Sequence, residues 1–189
     1  MAPILDFSET AASVWVKLAA MLTRGAADAH HDYHWPTMCT VDAQNQPQAR
    51  ILVLRKLGID PPQCVFYTDI RSPKIAELIA QPHVALLFYD ERTKLQLRAA
   101  GPATIECNTP RLQQLFAGLP ASAQASYTTT QPPGSSITAG EMIEHTTTAE
   151  HFACLTVNLH TIEALELHRE GHRRMLLNLH TDELTWAVP

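Results

Sequence analysis

The sequence predicts a mainly β protein with peripheral helices, built as an antiparallel barrel rather than a doubly wound parallel sheet. Three observations carry this expectation. At least six apolar runs of strand length follow one another, most through short links, and short links join antiparallel neighbours whereas parallel strands need long crossovers. The helical patterns are few and do not alternate regularly with the strands. Hydrophobic residues make up 46% of the 189 and charged residues 17%, enough for a core and too little charge for a disordered chain. A chain of this length is short for two domains, so one domain spanning residues 1–189 is expected.

In residues 8–24, Ala11, Ala12, Val14, Trp15, Leu18, Ala19, Met21 and Leu22 recur at spacings of three and four, with Ser8 as a cap and Gly25 as a stop. That pattern predicts an amphipathic helix. Residues 29–36 are rich in histidine and aromatic side chains, and 37–41 read as a short strand. Turn chemistry over 42–47 leads into a β-rich run over 48–57, so the two strands make a hairpin. A third strand over 64–68 is entered through Asp60, Pro61 and Pro62. Ser72 before Pro73 is a cap with proline in the first turn, opening a helix whose stripe is Ile75, Ala76, Leu78 and Ile79 and which ends before Pro82.

Residues 83–89 and 95–107 are two further strands, with a bulge or bend expected at Gly101 and Pro102. Thr109 and Pro110 repeat the cap and proline pattern for a helix through Phe116. Residues 127–137, rich in Thr, Pro, Gly and Ser, read as a functional loop, followed by a weak helix over 147–152. Strands over 154–159, 162–167 and 175–179 and a short one at Trp186 complete the chain.

Several function classes are excluded. Fourteen basic against nineteen acidic residues give a net charge of −5 with no basic run, so nucleic acid is not an expected partner. Cys39, Cys64, Cys107 and Cys154 form no CxxC pair and read as reduced, mostly buried thiols of a cytoplasmic protein. Residues 1–6 lack the basic and apolar regions of a leader, and no stretch approaches the ~18 apolar residues of a membrane span. His30, His31, Asp32 and His34 lack the spacing of metal ligands, since adjacent histidines point apart, and no metal is expected. Gly134, Ser135 and Ser136 read as a turn rather than a nucleophile elbow, and Trp15 and Trp35 as packing residues.

Two segments carry chemistry. Arg50 and Arg55 lie in one apolar strand on opposite faces, because they are an odd number of positions apart. Each must reach an anion or the solvent, since an unpaired buried guanidinium is costly; two strand-end arginines in water satisfy the same pattern. Residues 66–74 place hydroxyls, backbone amides and the cations Arg71 and Lys74 where a strand enters a helix. Free N–H groups and the helix dipole favour phosphate there, and Lys74 sits at the wrong end of the dipole unless an anion accompanies it. An ordinary capped helix is the competing reading.

Together these residues resemble the pyridoxamine 5′-phosphate oxidase family of FMN-binding split barrels. The family's Arg-x-Val-Leu-x-Lys/Arg strand is similar to Arg50, Ile51, Leu52, Val53, Leu54 and Arg55, and its Phe-Tyr-Thr-x-x-x-Ser-x-Lys to residues 66–74. Residues 85–89 resemble its Ala-Leu-Leu-Phe strand, Gln96 a flavin-contacting glutamine, Gly101 a glycine at the family's spacing, and residues 127–137 its Tyr-x-x-x-Arg-Pro-x-x-Ser-x-Ile loop. The resemblance covers roughly residues 36–189. Pro73 replaces an arginine, leaving Arg71 as a substitute; Arg55 stands in place of a lysine and Gln131 in place of the loop arginine. Glu144 and His145 align with a Gln-Ser pair, and His172, Arg173, Arg174 and Met175 keep a cation but not the following histidine.

The resemblance implies a split β-barrel flavoprotein with FMN bound noncovalently at a homodimer interface. Arg50, Ser72 and Lys74, beside Tyr67 and Thr68, are then the phosphate side of the site. The backbone of Ile51, Leu52 and Val53 holds the ring together with Gln96, and Arg173 or Arg174 reaches over from the partner chain. Arg55 stands near the ring, where it also meets the substrate, and Tyr127, Gln131 and Ser135 are the remaining substrate positions. The chemistry belongs to the flavin, with no catalytic side chain. The implied function is FMN-dependent oxidoreduction of a small molecule; alternatives are authentic pyridoxamine 5′-phosphate oxidase, a flavin-binding or sensing protein without turnover, and a related deazaflavin or haem ligand.

Overall fold

A computed structural model describes residues 3–189; Met1 and Ala2, the first residues of the expected domain and of the segment in which no leader is expected, lie outside the described residues. Helix α1 spans Ala11–Ala27 and is capped by Thr10 in a capping box with Ser13. The expected cap, Ser8, instead donates its hydroxyl to Asp6 at 2.6 Å. Gly25 does not stop the helix either. It is buried inside it, where a Cβ would stand 2.7 Å from the Tyr33 Cβ, so the missing side chain lets the one-turn helix Asp32–His34 pack against α1.

Strands β1 (Thr37–Val41) and β2 (Pro47–Ile51) form the expected hairpin, with Asp42 accepting the N–H groups of Gln44 and Gln46. The run over 48–57 is not one strand. After β2, residues 52–55 cross between sheets, Leu52 and Leu54 donating to the carbonyls of Pro36 and His34 and Arg55 to that of Val65, before β3 (Lys56–Ile59) begins. Leu52, Val53 and Leu54 are apolar without alternation, which suits a segment covered on both faces and not a half-exposed strand. Next come β4 (Pro62–Asp69), α2 (Pro73–Ala80), β5 (His83–Asp90), β6 (Leu95–Cys107) and α3 (Pro110–Ala117). The short helix α4 (Ala121–Ala125) was not expected, since it buries no side chain and so has no apolar stripe. The helix expected over 147–152 is absent from the described residues; β7 (Phe152–Asn158) starts there with four consecutive buried side chains. Strands β8 (Thr161–Glu166), β9 (Arg173–Asn178) and β10 (Glu183–Ala187) close the chain.

All named strand pairs are antiparallel. The main sheet runs β10-β9-β8-β6-β5-β1-β2, and β3-β4-β7 forms a second sheet that rejoins the first through β6. The long β6 is the hinge of the barrel: residues 95–100 pair with β8, residues 103–107 with β7. The bend expected at Gly101 and Pro102 is this change of partner. A Cβ on Gly101 would stand 1.8 Å from the Asn158 carbonyl oxygen, so only glycine lets the strands pass so closely. The central core gathers Leu18, Leu22, Met38, Leu86, Phe88, Leu97, Val157 and Ile162, and a smaller cluster sets Phe152 among Tyr67, Phe116 and Tyr127. No helix among the described residues is long and apolar enough to cross a membrane.

Candidate functional site

The end of β4 and the first turn of α2 bring Thr68, Ser72 and Lys74 together. The Lys74 ammonium donates to Thr68 Oγ1 at 3.0 Å and to Ser72 Oγ at 2.5 Å. Ser72 occupies the N-cap position, yet its hydroxyl caps no backbone N–H. Burial holds the Lys74 ammonium below its ordinary value, and the positive charge of Arg50 pushes the same way against the pull of Asp69 and Glu77. Arg50 reaches this cluster from the inner face of β2, donating to Thr40 Oγ1 and, at 2.8 Å, to Glu77 Oε2. Two cations in a half-buried recess, two hydroxyls and a helix N-terminus form a donor set suited to a phosphate monoester.

A second group lies where β3, β4 and the long loop meet. The Arg55 guanidinium sits over the Tyr67 ring at 5.4 Å and donates to the Tyr127 hydroxyl at 3.5 Å. Arg55 Nε is buried and has no hydrogen-bond partner among the described residues, as befits a donor meant for a bound group. Tyr67 and Tyr127 are both held by Phe152, at ring-centroid distances of 5.2 and 5.1 Å.

Arg71 does not stand in for the arginine lost at Pro73. Its guanidinium pairs with buried Asp69 at 2.7 Å and donates to the carbonyls of Thr129 and Thr130 at 2.7 and 2.9 Å. It is a clamp on the loop, not a phosphate donor. Thr128 and Thr130 exchange backbone bonds with Thr146 and Glu144, so Glu144 and His145 form one arm of a small ribbon. Gln131 and Ser135 lie in exposed turns, where the Gln131 carbonyl accepts from Thr129 Oγ1 and Ser135 donates its N–H to Pro132. The loop encloses a cleft of about 570 Å³ lined by residues 129–135, 137 and 141–144, with no basic side chain among them.

The remaining expected residues stand elsewhere. The register puts Gln96 opposite Tyr89 and Leu165, and Leu165 opposite Arg174. Directly opposed side chains share a face, so Gln96 and Arg174 lie on the outer face of the main sheet and Arg50 on the inner one. Ile51, 64% exposed, lies on that outer face, while Leu52 and Val53 are half-buried in the crossing segment. Arg174 pairs with Glu163 at 3.1 Å, whereas Arg173 turns the other way, onto the Leu5 carbonyl and the Phe7 ring. One chain therefore does not bring Gln96 or Arg174 to the Lys74 recess. Leu87, Tyr89 and Leu176 are each more than a third exposed on the outer face.

Two partners in the recess escaped the sequence. Glu77 follows Lys74 by three positions and so shares its helix face, a signal that was available. Thr40 had no sequence signal, because its role depends on the pairing of β1 with β2. Among the histidines, His31 Nδ1 accepts from Tyr33, His34 Nδ1 meets the Gly25 carbonyl and exposed His30 lies beside Asp28. Trp35 is half-exposed and donates to the Ala29 carbonyl, so it is no core residue.

A family model described as pyridoxamine 5′-phosphate oxidase, FMN-binding domain, matches residues 12–106. The match starts before the resemblance seen in the sequence and stops short of the loop. The chain is 33% identical over 100 residues to the pyridoxine/pyridoxamine 5′-phosphate oxidase of Gluconobacter oxydans, covering 53% of this chain and 48% of that one. It is 42% identical over 65 residues to the enzyme of the same name from Bordetella petrii, covering 34% and 30%. The chain thus spans half or less of the length of these relatives. Among solved structures, a pyridoxamine 5′-phosphate oxidase-related, FMN-binding protein from Nostoc punctiforme superposes with a TM-score of 0.75 at 22% identity, covering 93% of this chain and 97% of that one. PhzG from Burkholderia lata, in complex with tetrahydrophenazine-1-carboxylic acid, gives 0.74 at 16% identity with both chains fully covered. At these identities the likeness is one of fold.

Proposed function

The chain belongs to the pyridoxamine 5′-phosphate oxidase FMN-binding family and its cofactor is FMN, and from that premise we propose a cytoplasmic, homodimeric oxidoreductase acting on a small molecule that carries no phosphate. The observation that carries the cofactor site is the pairing of Lys74 with Thr68 and Ser72 beside Arg50. These four side chains hold the phosphate. FMN, when bound, supplies the two-electron redox chemistry. The chain positions it: the crossing segment of Ile51, Leu52 and Val53 offers backbone to the ring, and Arg55, steadied by Tyr67 and Tyr127, sets a positive charge where negative charge develops. Gln96 and Arg174 complete the site from the second copy of the chain across the outer face. The four free thiols support a reducing compartment.

The substrate reading rests on the loop cleft. Glu141 and Glu144 are the charged groups lining it, and Gln131 stands at its turn in place of a guanidinium. Such a lining repels a phosphate dianion, and losing one charge-assisted contact costs about 1.5–3 kcal/mol, or roughly 10- to 150-fold in affinity. Pyridoxamine 5′-phosphate is therefore expected to be oxidised about a hundredfold or more slowly in kcat/KM than by a family oxidase assayed beside it, with Gln131→Arg recovering part of the rate. Equal rates would promote the authentic oxidase. The cofactor site is tested separately, by FMN and riboflavin titrations, in which equal affinities would overturn the phosphate assignment.

A further inference from the structure

The recess that holds Arg50 and Lys74 also holds an anion of its own. Glu77, one turn along α2 from Lys74, keeps its carboxylate largely buried, with a side-chain exposure of 10%. One of its oxygens, Oε2, accepts from Arg50 at 2.8 Å and also from the Thr40 hydroxyl, which itself accepts from Arg50. Three groups on three elements, β1, β2 and α2, thus close a ring of hydrogen bonds whose charge is neutral. Asp69, the other acid acting on Lys74, is already paired with Arg71. Among the described residues Lys74 bonds to the neutral hydroxyls of Thr68 and Ser72, and it feels Arg50 as a like charge.

We propose that Glu77 is a resident counter-anion of the phosphate site, stabilising the chain before the cofactor arrives and lowering the affinity for FMN once it does. The inference rests on the phosphate reading of the recess. Arg50 and Lys74 repel one another, so the fold needs negative charge between them. Glu77 supplies it through a bond that fixes one edge of the Arg50 fork while further N–H donors remain for a phosphate. The carboxylate then faces the incoming phosphate as a like charge, and like charges at such range in a partly desolvated recess oppose binding. Glu77 is a positioning residue that trades FMN affinity for stability of the empty site. A carboxylate serving only to aim Arg50 would predict the opposite sign, since weakening it would loosen FMN.

Glu77→Gln retains an acceptor for Arg50 and Thr40 while removing the charge. FMN stripped from the wild-type and E77Q chains is titrated back by calorimetry, with riboflavin beside it, and the stripped chains are melted. The variant is expected to bind FMN about tenfold more tightly, to bind riboflavin as the wild type does, and to melt at a lower temperature without cofactor. Unchanged or weaker FMN binding overturns the proposal, as does an equal gain for riboflavin, which carries no phosphate. Should E77Q fail to fold, Glu77→Ala, which removes the charge together with the acceptor, still decides: FMN binding tighter than in the wild type with riboflavin unchanged is expected, and unchanged or weaker FMN binding rejects the counter-anion. Failure of FMN to bind either chain would instead overturn the phosphate reading itself.

Discussion

Lys74 shows how a single residue can be tuned by what surrounds it. Its ammonium is half-buried, bonded to two neutral hydroxyls and pushed by Arg50, so it loses its proton below the ordinary value of 10.5. Attraction for phosphate is complete while the ammonium is protonated and lost as pH rises through the lowered pKa. FMN affinity, followed by quenching of flavin fluorescence, is therefore expected to fall as pH rises through this lowered value, before pH 10.5 is reached. Lys74→Met should bind FMN about 10- to 150-fold more weakly and lose this alkaline fall. A fall that persists in Lys74→Met would assign it to another group. The sequence disclosed Lys74 because a lysine in a helix's first turn opposes the dipole, but its dependence on Arg50 and Thr40 needed the tertiary pairing of β1, β2 and α2.

At the scale of elements, the legible part was that governed by local rules. Proline in the first turn after Ser72 and after Thr109 located α2 and α3, and apolar runs of strand length bounded by turns located β1, β5 and β6. What composition could not reveal was contact between distant elements. Gly25 reads as a helix stop and is a contact with Tyr33; residues 48–57 read as one strand and cross between two sheets. The β6 crossing is the sharpest such case. Gly101→Ala drives a methyl into the Asn158 carbonyl, and backbone cannot step aside as a side chain can. The loss should reach about 3 kcal/mol, lowering Tm by about 6–12 °C, while Gly118→Ala, whose nearest neighbour is 3.5 Å away, should leave Tm nearly unchanged. Calorimetric melts of the two variants check the contrast, and equal Tm values would mean that β6 and the β7–β8 turn do not meet this closely.

For the whole molecule, the division of expected residues between the two faces of the main sheet is the leading fact. Arg50 faces inward, while Gln96, Arg174, Leu87, Tyr89 and Leu176 look outward. In the homodimer proposed above, a second copy covers that outer face, and its Gln96 and Arg174 complete the site of the first. Burying one leucine contributes about 1.5–3 kcal/mol, so Leu87→Glu and Leu176→Glu should each shift light scattering towards monomer at micromolar concentration and weaken FMN binding in parallel. Monomers that keep full FMN affinity would confine the site to one chain. The loop, by contrast, lay beyond the residues the family model matches, and its identity as a ribbon was hidden in Thr, Pro and Gly composition. The Arg71 clamp gives that loop a particular freedom. It grips the carbonyl oxygens of Thr129 and Thr130, atoms that every amino acid possesses. Mutation can therefore rewrite the loop's side chains while its mooring to β4 stays intact; on the proposed reading, in which the loop meets the substrate, new specificities are open to this scaffold without rebuilding the phosphate recess.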